Sequence, residues 1–340
     1  MRSVRREGLF SVLELSAALS VNDRTRAILD GTVAPQGIGL LASAVHPSEM
    51  FWRQLRFGDF DVSEMSLSSL MISVARGDRE WVGLPVFTVR LFPHTKITIR
   101  SNASIASPGD LRGKRVGVPE YQQTTAIWSR GILQHEFGVD PREIEWFMER
   151  PPERSHGGAT GFQPPPGIRL SYVAPETDLG AMLLSGELDA TLLHLTAGNL
   201  IDRAKADLSQ HAEVRPLFPD AGAEGRRYYA KTNLYPMNHC VVVRRSVLEQ
   251  HPWVALNLFQ AFVTAKERAT QRAASALEPH FDLGLLDAAA RRGLQGDPLP
   301  YGVASSRTEL ETLAQYVHEQ GLSDRAIGVN ELFAHQTLDF

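Results

Sequence analysis

The 340-residue chain is nearly devoid of cysteine: Cys240 is its single one. That excludes an internal disulfide and a cysteine-built zinc site. Cys240 precedes Val241-Val242-Val243, so it reads as a small apolar side chain in a strand, not as a nucleophile. Long hydrophobic runs are missing too. No stretch approaches the roughly 18 apolar residues a membrane span needs. The formal net charge of -4 supplies no basic surface, so neither nucleic acid nor a membrane is expected as a partner. The eleven histidines show no H-x-H or H-E-x-x-H spacing, and no metal site is read from them. G-x-G-x-x-G, Walker A and G-x-S-x-G patterns are absent, which leaves nucleotide-binding and serine-hydrolase readings unsupported.

What is present is an alternation of strand and helix patterns, the mark of α/β architecture. The length implies two domains, or one with a large insertion. Arg2, Arg5 and Arg6 could pass for a signal n-region, but Glu14 interrupts the apolar stretch behind them and no A-x-A site closes it. A lead-in followed by a first strand is expected, and with it a cytoplasmic protein. Strands are expected over 13–21, 38–44, 60–62, 81–92, 96–100, 116–118, 190–193 and 235–244. Helices are expected over 23–30, 47–57, 66–76, 179–184 and most of the chain after 251, with a break at 293–301. Residues 151–167, PPERSHGGATGFQPPPG, read as a surface loop or flap.

The segment SPGDLRGKRVGVPEYQQTTAIWSRGIL (107–133) is the most informative. It reads as loop, short strand, turn and helix, with Thr124 and Thr125 at the helix start. Free N–H groups there, flanked by hydroxyls, suit a carboxylate; an ordinary helix cap with nothing bound is the plain alternative.

DLRGKRVGV (110–118) and LLSGELDATL (183–192) resemble units of the type II periplasmic-binding-protein fold. A wider set falls in order: Asp23-Arg24-Thr25-Arg26, FDVSEMSLSSL (60–70), LPVFTVRLFPH (84–94), VGVPEYQQTTAIWSRGIL (116–133), Asn238-His239, His251-Pro252-Trp253 and DPLPYGV (297–303). Together these resemble the 4,5-dihydroxyphthalate decarboxylase family over about 13–334. Asn22, where the family pattern leads one to expect an aromatic, and the lengthened 151–167 loop are departures.

The resemblance implies a two-lobed α/β fold with the ligand cleft between the lobes. Lobe 1 would take 1–103 and 236–340, and lobe 2 104–235. It also implies decarboxylation of a hydroxylated aromatic (di)carboxylic acid such as 4,5-dihydroxyphthalate, with no cofactor, because the phenol supplies the electronic drive. The partner expected is that small aromatic carboxylate; a homo-oligomer is left open. Arg24 and Arg26 after the first strand, with Thr124 and Thr125, would hold carboxylates. His94, beside Arg90, is the first choice for proton transfer, with Glu64 or His239 as its partner. Ser66, Glu120, Tyr121, Arg130, His194 and Asn238 complete the expected binding set. For each, a cap, a solvated charge or a buried histidine is the plain alternative. Two rival functions stand beside this one: a solute-binding protein of an ABC-type uptake system, and an enzyme resembling those of the menaquinone futalosine pathway.

Overall fold

The computed structural model describes residues 12–196, 198–293, 296–297 and 299–340. The arginine-rich lead-in with Arg2, Arg5 and Arg6 lies outside them, as does part of the 293–301 break. Eleven strands follow in chain order: β1 Leu13–Leu19, β2 Ile38–Ala44, β3 Val62–Ser66, β4 Trp81–Arg90, β5 Thr98–Arg100, β6 Arg115–Val118, β7 Glu145–Met148, β8 Arg169–Tyr172, β9 Ala190–Thr191, β10 Val214–Pro216 and β11 Met237–Arg244. The helices are α1 Arg26–Leu29, α2 Pro47–Phe57, α3 Leu67–Ala75, α4 Thr124–Phe137, α5 His156–Thr160, α6 Leu179–Ser185, α7 Ala221–Thr232, α8 Arg245–Gln250, α9 Trp253–Asp282, α10 Ala288–Gly293 and α11 Arg307–Glu319.

The strands form two sheets, the two lobes of an α/β fold. The first has the order β2-β1-β3-β11-β4 and the second β10-β5-β9-β6-β7-β8. β1, β2, β3 and β4 run in one direction, and β11 lies antiparallel between β3 and β4. β6, β7, β8 and β9 are likewise parallel. Parallel strands connected through helices are covered on both faces, so they are short apolar runs: Ala17, Ala18 and Leu19 in β1, Val116 and Val118 in β6. Pro85 is tolerated within β4 because that strand is the edge of its sheet. Cys240 packs fully buried in β11, as its valine neighbours imply.

Three sequence expectations change. β5, read with the first lobe, hydrogen-bonds to β9 and β10 of the second sheet, so the first crossover falls within 91–97. Glu64 and Ser66, expected between the 60–62 strand and the start of the 66–76 helix, lie in β3, every residue of which is buried. The 151–167 segment is not simply a surface flap. It contains α5, capped by the Ser155 side chain, with His156 and Gly157 buried. A proline- and glycine-rich composition hid a single helical turn docked against α2.

Candidate active site

All the strand ends that matter open on one gap. His239 at the start of β11 stands beside Ser66 at the end of β3 and Val89 near the end of β4. Register shifts flank His239 on the β4 side; such irregularities re-aim a side chain. Opposite lie the segments after β6, β7 and β9. Ligands in open α/β sheets gather at strand carboxyl ends for this topological reason. A cavity of about 320 Å3 fills the gap, lined among others by His46, Ser48, Phe51, Ser66, Lys96, Thr124, Thr125, Arg150, His156, Asn238 and His239, with leucines 91, 193 and 195.

Behind His239 sits Glu64, wholly buried. Its Oε1 accepts from the Ser20 N–H at 2.8 Å and the Ser20 hydroxyl at 2.7 Å; its Oε2 accepts from Thr88 Oγ1 at 2.5 Å and meets His239 Nδ1 at 3.1 Å. Burial by itself pushes this carboxyl up, but the hydrogen bond and charge of His239, with the Thr88 and Ser20 bonds, outweigh it and hold the carboxyl below its ordinary value. An ionised carboxylate only accepts, so Nδ1 of His239 carries the hydrogen and donates it. Nε2 has no hydrogen-bond partner among the described residues. The imidazole edge packs against the Phe51 ring at 4.7 Å, and Phe51 touches His156 at 5.7 Å on another side.

The second half of the site is built round an ion-paired guanidinium. Arg150, buried, is anchored by Asp202 at 2.7 Å and donates to Ser48 Oγ at 2.7 Å, and its Nη1 lies 3.4 Å from His156 Nε2. Burial, reinforced by the Arg150 charge, holds His156 well below its ordinary value, so it is a neutral imidazole. Burial also lowers His46; its Nδ1 accepts from the Ser48 N–H that begins α2. Glu120 stands behind α5 and accepts from the backbone N–H of His156 at 2.9 Å. Burial pushes its carboxyl up to about 7, against the lowering pull of Arg150 and the backbone N–H groups.

Hydroxyls join the lobes between these halves. Ser66 Oγ and Thr124 Oγ1 are 2.9 Å apart, Ser68 N–H donates to Thr124 Oγ1 at 3.0 Å, and Thr125 Oγ1 donates to Asn238 Oδ1 at 3.0 Å. Among the described residues, no group of three or more His, Cys, Asp or Glu side chains is placed to hold a metal ion.

No family model matches the chain. A 4,5-dihydroxyphthalate decarboxylase of Comamonas testosteroni is 32% identical over 332 residues, covering 97% of this chain and 98% of that protein. This chain belongs to the 4,5-dihydroxyphthalate decarboxylase family. A second family member, from Pseudomonas putida, is 37% identical over 185 residues, 54% of this chain and 71% of that protein. Solved structures share the fold at much lower identity. The alkanesulfonate-binding protein SsuA of Xanthomonas axonopodis pv. citri aligns with a TM-score of 0.54 at 13% identity, over 94% of this chain and 97% of that one. The periplasmic aliphatic sulphonate binding protein SsuA of Escherichia coli gives 0.53 at 13%, over 96% and 98%. The desulfurization enzyme DSZB gives 0.51 at 16%, over 94% and 96%. For this decarboxylase-family chain these likenesses establish the two-lobed fold alone.

Of the residues expected from sequence, the structure brings Ser66, Thr124, Thr125, Asn238 and His239 to the cavity, with Glu64 behind the His239 imidazole and Glu120 on the His156 backbone N–H. Seven others are elsewhere. His94 is fully buried, and its Nε2 pairs with Glu224 at 2.9 Å, which also holds Arg227; the ring is a strut between the first crossover and α7. Arg24 donates to the Thr88 carbonyl and faces α9. Arg26 is exposed. Arg90 is locked by Glu309, Ser306 and two carbonyls, beside a separate cleft of about 630 Å3. Tyr121 and Arg130 stack on each other at 3.8 Å inside lobe 2, and Arg130 donates to the Tyr121 carbonyl and to Gln320 Oε1. His194 is tied to the Ala206 carbonyl at 2.8 Å. His94, Arg24, Arg90, Arg130 and His194 each bond a group brought up from elsewhere in the chain, which strand-end position alone does not reveal.

His46, Ser48, Lys96, Arg150 and His156 were missed. A signal existed for Arg150: Glu149-Arg150 directly follows the β7 run EWFM, where a charged pair marks a strand end aimed at a cleft. His156 lay concealed in a segment read as loop.

Proposed function

We propose that this chain decarboxylates 4,5-dihydroxyphthalate to 3,4-dihydroxybenzoate (protocatechuate). The observation that carries the reading is His239, fixed through Nδ1 to a buried, ionised Glu64, with its other nitrogen left without a protein partner beside a cavity of aromatic-acid size. A base oriented by a third group is the recurring geometry of proton-transfer catalysis. Arg150, Ser48, His156 and the Thr125 region supply donors for carboxylates.

The chemistry balances without an added electron carrier. The hydroxyl para to one carboxylate loses its proton, and the oxygen electron pair moves into the ring. The ring carbon bearing that carboxylate takes a proton from Nε2 of a His239 imidazolium, whose positive charge Glu64 offsets. The carbon–carboxylate bond then breaks, carbon dioxide leaves, and the released electron pair restores the aromatic phenolate, which regains a proton. His239 recovers its proton from solvent. Positioning and charge stabilisation lower the barrier.

Purified protein incubated with 4,5-dihydroxyphthalate should release carbon dioxide and protocatechuate at equal rates with and without a chelator. 4-Hydroxyphthalate should yield 3-hydroxybenzoate, because only the carboxylate para to the hydroxyl receives the electron push; 4-hydroxybenzoate as the product would contradict this mechanism. Tight binding of either acid with no gas release would instead favour a solute-binding protein, the reading to which the two SsuA structures lend their fold.

A further inference from the structure

Strand order gives the cleft a polarity. Along the edge of the first sheet, Ser48 follows β2, Ser66 ends β3, His239 opens β11 and Leu91 follows β4. Along the second, Arg150 follows β7, Thr124 follows β6 and Leu193 follows β9. The two series face each other in the same order, since Arg150 donates to Ser48 and Ser66 meets Thr124 across the gap. One end is therefore rich in donors around the Arg150 guanidinium, the middle holds the His239 imidazole, and the far end is walled by leucines. Lys96 borders that far end, on the short turn that follows β4. It is exposed, and its ammonium makes no hydrogen bond or ion pair among the described residues.

We propose that Lys96 is the residue that receives the hydroxyl-bearing edge of the ring and stabilises the phenolate formed there. This rests on the decarboxylase reading and assigns the orientation of the substrate within it. Carboxylates seek the end where a guanidinium, a hydroxyl and imidazoles converge. The hydroxyls of 4,5-dihydroxyphthalate lie across the ring from its carboxylates, so they reach the Lys96 end. An ammonium beside apolar walls, with no carboxylate to neutralise it, favours an oxygen that gains negative charge during the reaction more than one already solvated. No other cation is placed at that end among the described lining residues.

The test compares Lys96→Met and Lys96→Arg with the wild-type protein, using 4,5-dihydroxyphthalate and phthalate, which lacks hydroxyls, as separate ligands. Lys96→Met should weaken 4,5-dihydroxyphthalate about tenfold and leave phthalate binding unchanged. It should lower kcat about a hundredfold. It should also move the catecholate absorbance of bound protocatechuate to higher pH, and Lys96→Arg should restore most of each effect. Equal weakening of both ligands would place Lys96 on a carboxylate and overturn the assignment, as would no change in either. A wild-type protein that binds both acids yet releases no carbon dioxide would sink the decarboxylase reading; the ligand comparison and the absorbance titration would still judge Lys96.

Discussion

At the scale of single residues, the buried acids carry the most testable consequences. Glu64 is held ionised by four donor contacts, which in the proposed mechanism lets it orient His239 and offset the charge of its imidazolium. His239→Ala should lower kcat by about 10²–10⁴-fold, the range of a lost acid–base group, with KM changed far less, as steady-state kinetics would read. Glu64→Gln should lower kcat by a smaller factor, since an amide still accepts from Nδ1 but supplies no negative charge. Glu120 has a different signature. Its folded value near 7 lies above the ordinary 4.5, so the folded protein holds a proton that the unfolded chain has released. Stability then falls as pH rises from about 4.5 to about 7, by about 3 kcal/mol in total. Glu120→Gln should flatten that slope in urea melts run across this interval. Glu64 acts in the opposite sense: its contribution is present above 4.5 and is lost as pH falls through its lowered value. An unchanged slope in Glu120→Gln would show that the acid is not protonated in the folded state.

At the scale of elements, α5 is the piece that makes the site. It is a single turn, too short to be stable alone, and is held by the Ser155 cap, which accepts the Gly158 N–H at 2.7 Å. Gly158 lies against the Pro152 carbonyl, and a Cβ there would sit 1.5 Å from that oxygen. Gly158→Ala must therefore push α5 away from the Pro152 backbone and carry His156 with it. The expected result is a protein that still folds, destabilised by about 1–3 kcal/mol as in other overpacked sites, whose ligand affinity drops more than its melting temperature suggests. Calorimetric binding of phthalate beside a thermal melt would read both.

At the scale of the whole molecule, the two lobes meet through polar contacts as well as apolar ones. Gln320, just after α11, accepts from Arg130 Nε at 2.8 Å and donates to the Ile127 carbonyl at 2.9 Å on α4. Arg130 is buried with no carboxylate partner among the described residues, so Gln320 is a principal compensation for its charge. Gln320→Ala should cost about 1.5–3 kcal/mol, the range for a hydrogen bond to a charged group, seen as a lower urea midpoint. Tyr316 on α11 packs against Gly131 of α4, where any side chain would clash with the ring. Ligand bound between the lobes should stabilise the protein by about 2.7 kcal/mol at a hundredfold excess over Kd, measured as a concentration-dependent melting temperature.

The sequence alone determined the α/β class, the start of α4 at Thr124, the bounds of α2 and the strand β2, and the family, because these rest on local periodicity, helix-start residues and ordered motifs. It also carried His239, Ser66, Thr124, Thr125 and Asn238, whose positions at strand ends and helix starts are local features, and Glu64 two residues before the end of β3. It did not separate them from His94, Arg24, Arg90, Arg130 and His194, which share the same local signals. That choice was made by tertiary structure: Glu224, Thr88, Glu309, Gln320 and Ala206 lie far along the chain, and each ties up one of those groups. The same long-range packing turned a proline-rich loop into the helix that brings His156 to the cleft, beside Arg150, which follows β7. Whether a polar side chain is spent inside the fold or left facing a ligand depends on which distant partner reaches it, and only the folded chain sets that distance.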